Sequence, residues 1–235
     1  MFNGNRNLTV VGDIHGDFHG LDDAAIHAAY HGRHLVLLGD ITDRGNENAT
    51  SLAYAINLVD AGEATWIWGN HDDKLWRWLN GGNVKINYGL EKTVAEIESH
   101  GSKEQFRQRL NRLVDQSKVF EYVAVNNTVF AHGAFHRAMV PNTYLTVKDR
   151  KVNKLTKAIT ARANFGQPSE ERTADGYKIR LHNWIDDIPA GVQVFVGHEA
   201  MDEVTTIEGA AGGKAIFVDT GAGKGGHVSF VDITI

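Results

Sequence analysis

Hydrophobic positions in this chain gather into short runs that stop abruptly at glycine and polar residues. "NLTVV" runs into "GDIHG", "HLVLL" into "GDITDRG" and "ATWIW" into "GNHDD". Further along, "NTVFA" ends in "HGAFH" and "VQVFV" in "GHEA". Short apolar runs bounded by turn formers read as buried strands. Stretches with helical spacing, "LDDAAIHAAYHG" and "ATSLAYAINLVDAG", separate the early runs, so this part reads as βαβ-like units. The spacing predicts mostly helix from Val84 to about Gln116, a hairpin around Asn126-Asn127, and a helix through "VKDRKVNKLTKAITARANFG". A loop-rich patch, Gly166 to Tyr177, precedes the fifth strand end. Short strands at "VTTIE", "KAIFVD" and "HVSFVDITI" close the chain. No linker, repeat or low-complexity tract interrupts it, so residues 1–235 are expected to form one domain.

Composition narrows the possibilities. With 42% apolar and 23% charged residues in 235, the chain can bury a large core without covalent staples. A net charge of -5 argues against a broad basic surface for nucleic-acid phosphates, so no stable nucleic-acid complex is expected. It leaves room for a nucleotide or a phosphorylated side chain. No apolar run approaches the roughly 20 residues that cross a bilayer, and "MFNGNRNLTVV" has no signal-peptide core. A cytoplasmic protein without membrane contact is the expectation. Cysteine is absent, which removes disulfides, thiolate metal sites and cysteine nucleophiles. Any metal must be held by His, Asp, Glu or Asn.

The polar residues at the five strand ends are Asp13 and His15; Asp40, Asp43 and Arg44; Asn70 and His71; His132; and His198. In open α/β sheets the carboxyl ends of strands gather at one edge, where ligands bind. Carboxylates, imidazoles and an amide oxygen suit manganese, iron or zinc. Two such ions about 3.5–4 Å apart can activate a water and stabilise an in-line displacement at phosphorus.

The blocks "GDIHG", "GDITDRG", "GNHD", "AHG" and "GH" resemble the signature of the calcineurin-like metallophosphoesterases. The "DRG" resembles the PPP-type serine/threonine phosphatase branch that includes the phage lambda phosphatase. The resemblance spans Gly12 to about Gly226. It implies an α/β fold, a four-layer α/β/β/α sandwich with two mixed sheets, and a dinuclear metal site at the strand C-terminal ends. Asp13 and His15 would hold the first metal and Asp40 would bridge both. Asn70, His132 and His198 would complete the second, with Mn2+ the expected ion and iron or zinc as alternatives. His71, oriented by Asp43, would be the general acid, Arg44 would clamp the phosphoryl oxygens, and metal-bound water would attack. Asp219 would support the cluster from behind.

Within the superfamily, diesterases usually end in "GHxH"; here "GHEA" puts Ala200 at the second His. Together with Arg44 this points to a phosphate monoesterase, with a phosphoserine or phosphothreonine protein or a small phosphomonoester as substrate. The alternative is a nucleotide, RNA-end or dinucleoside-polyphosphate phosphatase or phosphodiesterase using the same site. A silent binding module would have lost ligands, and all are present. "ARANFGQ", "DGYKIR" and "DTGAGKGG" resemble the bacterial polynucleotide kinase-phosphatase phosphatase domain. A second phosphate-binding arginine is expected at Arg162 or Arg180.

Several features carry plainer readings. "GAGKGG" (Gly221 to Gly226) lacks the following helix of a dinucleotide site and reads as a turn. Trp66, Trp68, Trp76 and Trp78 read as core or cleft wall. The basic run 150–157 reads as a solvated helix face, with guidance of an anionic substrate as its alternative. The eight remaining histidines read as surface or local hydrogen-bonding residues.

Overall fold

The computed structural model describes residues 6–172 and 178–235. The first three residues of "DGYKIR" and the end of the loop-rich patch therefore lie outside the described residues. Strand β1 (Asn7–Val11) is followed by α1 (Phe18–Tyr30), β2 (His34–Leu37), α2 (Asn48–Ala61), β3 (Ala64–Ile67) and α3 (Asn70–Leu79). Then come α4 (Leu90–Ser99), α5 (Lys103–Asp115), β4 (Val119–Val125), β5 (Thr128–Ala131), β6 (Thr143–Thr146) and α6 (Lys154–Phe165). A small hairpin, β7 (Pro168–Arg172) and β8 (Lys178–Arg180), and a 3-10 turn (Asn183–Asp187) lead to β9 (Gln193–Val196), β10 (Thr205–Glu208), β11 (Lys214–Phe217) and β12 (Phe230–Thr234). Among the described residues no helix is long and apolar enough to cross a membrane.

The helices form where one face can be buried. In α1 the buried residues are Leu21, Ala24, Ala25 and Ala28, and the Asp17 carboxylate caps the helix by accepting from Gly20 N. Helix α2 has no side-chain cap of its own. Glu96 from α4 supplies one, accepting from Asn48 N and Ala49 N at 2.8 and 2.9 Å. The helical region expected from Val84 is two helices, broken at Gly101 with φ +60°. Helix α3 carries the "GNHD" block on its first turn, an element the apolar pattern did not reveal.

The strands run in the order β10-β11-β9-β5-β4-β3-β2-β1-β12, with β6 on the other edge of β4. Alternate residues of each strand divide between two cores. Val36, Ile67, Phe130, Phe195 and Ile216 join a cluster that contains no helical residue, yet each is at most 8% exposed. That face is covered by the sheet itself, one half packed on the other. The opposite faces pack under α1–α5 on one side and under α6 and the 3-10 turn on the other. Two mixed sheets with helices outside are thus present, joined into one hydrogen-bonded path at β4.

The junction places the site. Along β4, Ile67 at the end of β3 pairs with Phe120, and Ala131 at the end of β5 pairs with Tyr122. The two strands therefore run toward each other and end at the same place. The same seam brings Gly12 against Val218 O, 2.5 Å from where a Cβ would sit, and His198 N to the Asp13 carboxylate.

Two plainer readings need revision. The helix expected through the basic run starts only at Lys154, with Asn153 as its cap. Arg150 precedes it and is 5% exposed, paired with Asp73 at 2.6 Å and Glu121 at 3.3 Å. The Trp68 and Trp76 rings flank its guanidinium at 5.9 and 5.3 Å. It is neither solvated nor a substrate guide. The tryptophans do pack in the core beneath the helices.

Candidate metal centre and cleft

The loops after β1, β2, β3, β5 and β9 bring their polar residues to one point. Asp40 Oδ2 lies 3.3 Å from His132 Nε2, 3.8 Å from His15 Nε2 and 4.0 Å from His71 Nε2. Asp13 Oδ2 is 3.5 Å from His15 Nε2, and Asn70 Oδ1 is 3.3 Å from His132 Nε2. His132 Nε2 and His198 Nδ1 are 3.1 Å apart. Two three-residue groups can each surround a metal ion, His15–Asp40–His71 and Asp40–His132–His198, and they share Asp40. All eight residues expected at the site, with Arg44, converge; Asp219 is buried nearby, but its carboxylate accepts from Gly221 N rather than from a cluster member.

The donor set fits divalent cations. His15 Nδ1–H donates to Thr42 O at 2.9 Å and His132 Nδ1–H to Leu38 O at 2.7 Å, leaving each Nε2 lone pair aimed into the cluster. Asp13 Oδ2 and His198 Nε2 are buried without a hydrogen-bond partner. Burial works against charge on His132, yet Asp40 and Asp13 drive its imidazole up to about 10. Burial likewise opposes ionisation of Asp40, but His132 and His71 hold its carboxyl well below the usual range. Burial and repulsion from His132 and Arg180 keep His198 neutral. A field that favours a proton on His132 also favours a metal ion there.

Close packing presses the backbone against these carboxylates. A Cβ on Gly69 would sit 2.1 Å from Asp40 Oδ1, and one on Gly197 would sit 2.2 Å from Asp13 Oδ1. His15, Asp40, Asp43, Arg44 and His198 all adopt positive φ, between +47° and +77°. Backbone in that region is held only where its surroundings over-determine it.

His71 Nδ1 sits 2.5 Å from Asp43 Oδ2, and Asp43 accepts in turn from Thr93 Oγ1 at 2.6 Å. Arg44 reaches His15 Nε2 and lies 3.2 Å from His71 Nε2. Asp72, left without a role by sequence reasoning, accepts from Asp40 N, Ile41 N, Gly69 N and Trp66 Nε1 at 2.9–3.1 Å. It ties the "GDITD" loop to the "GNHD" turn. Its only sequence signal was its place in that block.

Over the cluster opens a cavity of about 400 Å³ lined by Arg44, Lys74, Lys178, Arg180 and Lys224 as well as His71 and His198. Among the described lining residues the only carboxylate is Glu199, paired with His182 at 2.8 Å. Of the two candidate arginines, Arg180 faces this cavity, whereas Arg162 is bonded to Gln167. The "GAGKGG" segment is a turn, as expected, but it also walls the cleft: Gly223 packs on His15 and Arg44, and Lys224 projects into the cavity. Burial, helped by Arg44, lowers the Lys224 ammonium pKa.

A metallophosphoesterase is the class that this fold and this cluster define: the chain belongs to the calcineurin-like phosphoesterase family, whose model matches residues 6–218. Among its relatives, the asymmetrical bis(5'-nucleosyl)-tetraphosphatase PrpE of Anoxybacillus flavithermus is 28% identical over 234 residues, covering 94% of this chain and 87% of the relative. The Geobacillus thermodenitrificans enzyme of the same name is 28% identical, covering 95% and 89%. Two solved structures share the fold. The cold-active protein-tyrosine phosphatase of a psychrophilic Shewanella species has TM-score 0.60 at 16% identity, covering 98% of this chain and 80% of that one. A serine/threonine phosphatase of Saccharomyces cerevisiae has TM-score 0.57 at 14% identity, covering 98% and 79%.

Proposed function

We propose that this protein hydrolyses the phosphate chain of dinucleoside polyphosphates, cutting it unequally. The observation that carries this reading is the cleft: Arg44, Lys74, Lys178, Arg180 and Lys224 line one cavity on a chain of net charge -5. A single phosphoryl group needs Arg44 and the metal centre. Four further cations suit additional phosphates along a chain. The named activity of the PrpE relatives supports the same substrate class, ahead of the phosphoprotein expected from the "DRG" block.

Asp13, His15, Asp40, Asn70, His132 and His198 would hold two divalent ions. Such ions, when bound, supply the Lewis acidity that makes water nucleophilic and neutralises charge on the phosphoryl group. Arg44 would orient that group through its planar fork. His71, held by Asp43, would give a proton to the bridging oxygen as it departs with the longer phosphate chain. The water oxygen remains on the attacked phosphorus.

The test compares kcat/KM for diadenosine tetraphosphate and a phosphoserine peptide after chelation and restoration of Mn2+. Preference for the former, with AMP and ATP as products, is expected. Preference for the peptide would return the monoesterase reading to first place, and ADP as sole product would exclude unequal cleavage.

A further inference from the structure

We infer that Tyr88 is the platform on which this cleft stacks a nucleobase. The residue is 55% exposed and lines the cavity that also holds Arg44, Lys74 and Lys224. It borders a second cavity of about 440 Å³, which Arg44, Lys92 and Lys224 share with Glu91, whose carboxylate accepts from Gly89 N at 3.1 Å. An aromatic face between two phosphate-friendly spaces is the arrangement that accepts a nucleotide: cations follow the phosphate chain and the ring takes the base.

The backbone around Tyr88 is held in an unusual conformation to present that ring. Tyr88 has φ +59°, which bulky residues rarely adopt. On one side Lys74 Nζ donates to Asn87 O and Asn87 Oδ1 at 2.7 and 2.8 Å, and the same ammonium lies 5.6 Å from the Tyr88 ring centroid. On the other side Gly89, at φ +100°, packs so closely on Arg44 that a Cβ would sit 2.3 Å from Arg44 N. Lys92 Nζ closes the connection by donating to Arg44 O at 2.7 Å. The ring is therefore fixed relative to the phosphate-clamping arginine, which is what a base platform at set distance from the reacting phosphate requires. Stacking on one ring tolerates any base, so adenine and guanine nucleotides should bind alike.

The inference rests on the nucleotide reading above, and its test is kept separate from turnover. Calorimetric titration of the Mn2+-loaded protein compares α,β-methylene-ADP, which resists cleavage between its phosphates, with methylenediphosphonate, the same chain without a nucleoside. The nucleotide should bind roughly 5- to 150-fold more tightly, the span of one stacked base. Tyr88→Phe should keep that difference. Tyr88→Ala should erase it while leaving methylenediphosphonate affinity unchanged. Equal affinities in the wild type, or a difference that survives in Tyr88→Ala, would overturn the inference. So would a loss of methylenediphosphonate binding in Tyr88→Ala, which would make Tyr88 a support of the Arg44 loop. A protein that stacks the nucleotide yet fails to cleave diadenosine tetraphosphate would remove the proposed reaction and leave the platform in place.

Discussion

Helix α3 contributes to two buried clusters of charge that differ in what they lack. In the first, Asp13, His15, Asp40, His71, His132 and His198 turn their donors toward common points, and Asp13 Oδ2 and His198 Nε2 find no hydrogen-bond partner. In the second, Glu121 Oε2 is likewise buried without a hydrogen-bond partner, but Asp73 Oδ1 and Glu121 Oε1 face Arg150 directly at 2.6 and 3.3 Å, with two tryptophan rings beside the guanidinium. Four residues of the first cluster's loops, His15, Asp40, Asp43 and Arg44, and His198 as well, have positive φ; none of the three in the second does. A cluster that carries its own cation can form from relaxed backbone. A cluster built to receive a cation must hold like-minded donors together, and the strained loops do so. Burial of charge is common to both, so burial alone does not mark function.

The comparison predicts opposite consequences of removing one member from each. His71→Asn should lower turnover of a phosphate monoester roughly 10²–10⁴-fold, the range for a general acid, while bound metal stays constant. The loss should be smaller for a phosphoanhydride, whose leaving phosphate needs less help from a proton. Because His71 also belongs to one potential metal-binding group, metal analysis of the variant decides the matter: departure of an ion would make His71 a ligand. In the second cluster, Arg150→Met should cost about 3–5 kcal/mol in urea unfolding, since two carboxylates are left buried without their partner. Its kcat and metal content should match the wild type when folded. A mild loss of stability, or a fall in kcat per folded molecule, would merge the two clusters into one.

The first cluster was legible because each member sits within a few residues of an apolar run's end, and strand ends are local signals. Asp13, His15, Asp40, Asn70, His71, His132 and His198 could be lined up without knowing any contact. The second was not legible: Asp73, Glu121 and Arg150 come from three separate segments, and Arg150 opens a basic run whose other members, Lys151, Lys154 and Lys157, are exposed. The cleft wall was hidden for a related reason. Lys74, Tyr88 and Lys224 stand alone in their segments, and only folding brings them beside Arg44. The apolar runs marked the strands and the family resemblance implied two sheets, but neither showed that β3 and β5 end against each other on β4. That meeting depends on pairing between distant segments, which periodicity does not encode.

The smallest expected effect separates the clusters by what tunes them. Burial, with Asp73 adding repulsion and Arg150 opposing, pushes Glu121 up to about 7 from an ordinary 4.5. Between those values the folded protein keeps a proton that the unfolded chain releases. Stability from this group is therefore full below about pH 4.5 and declines as pH rises through about 7. Glu121→Gln removes the titration while its carbonyl can still accept from Arg150 Nη1, 3.3 Å away in the parent. Urea midpoints between pH 5 and 8, taken with saturating Mn2+, should fall less steeply in the variant, which should gain on the wild type toward pH 8. The first cluster's Asp and His titrations are common to both proteins under the same Mn2+ and cancel in the difference between the two curves. Parallel curves for the two proteins would mean that Arg150 fully compensates Glu121, and that the second cluster is indifferent to protons as well as to metal.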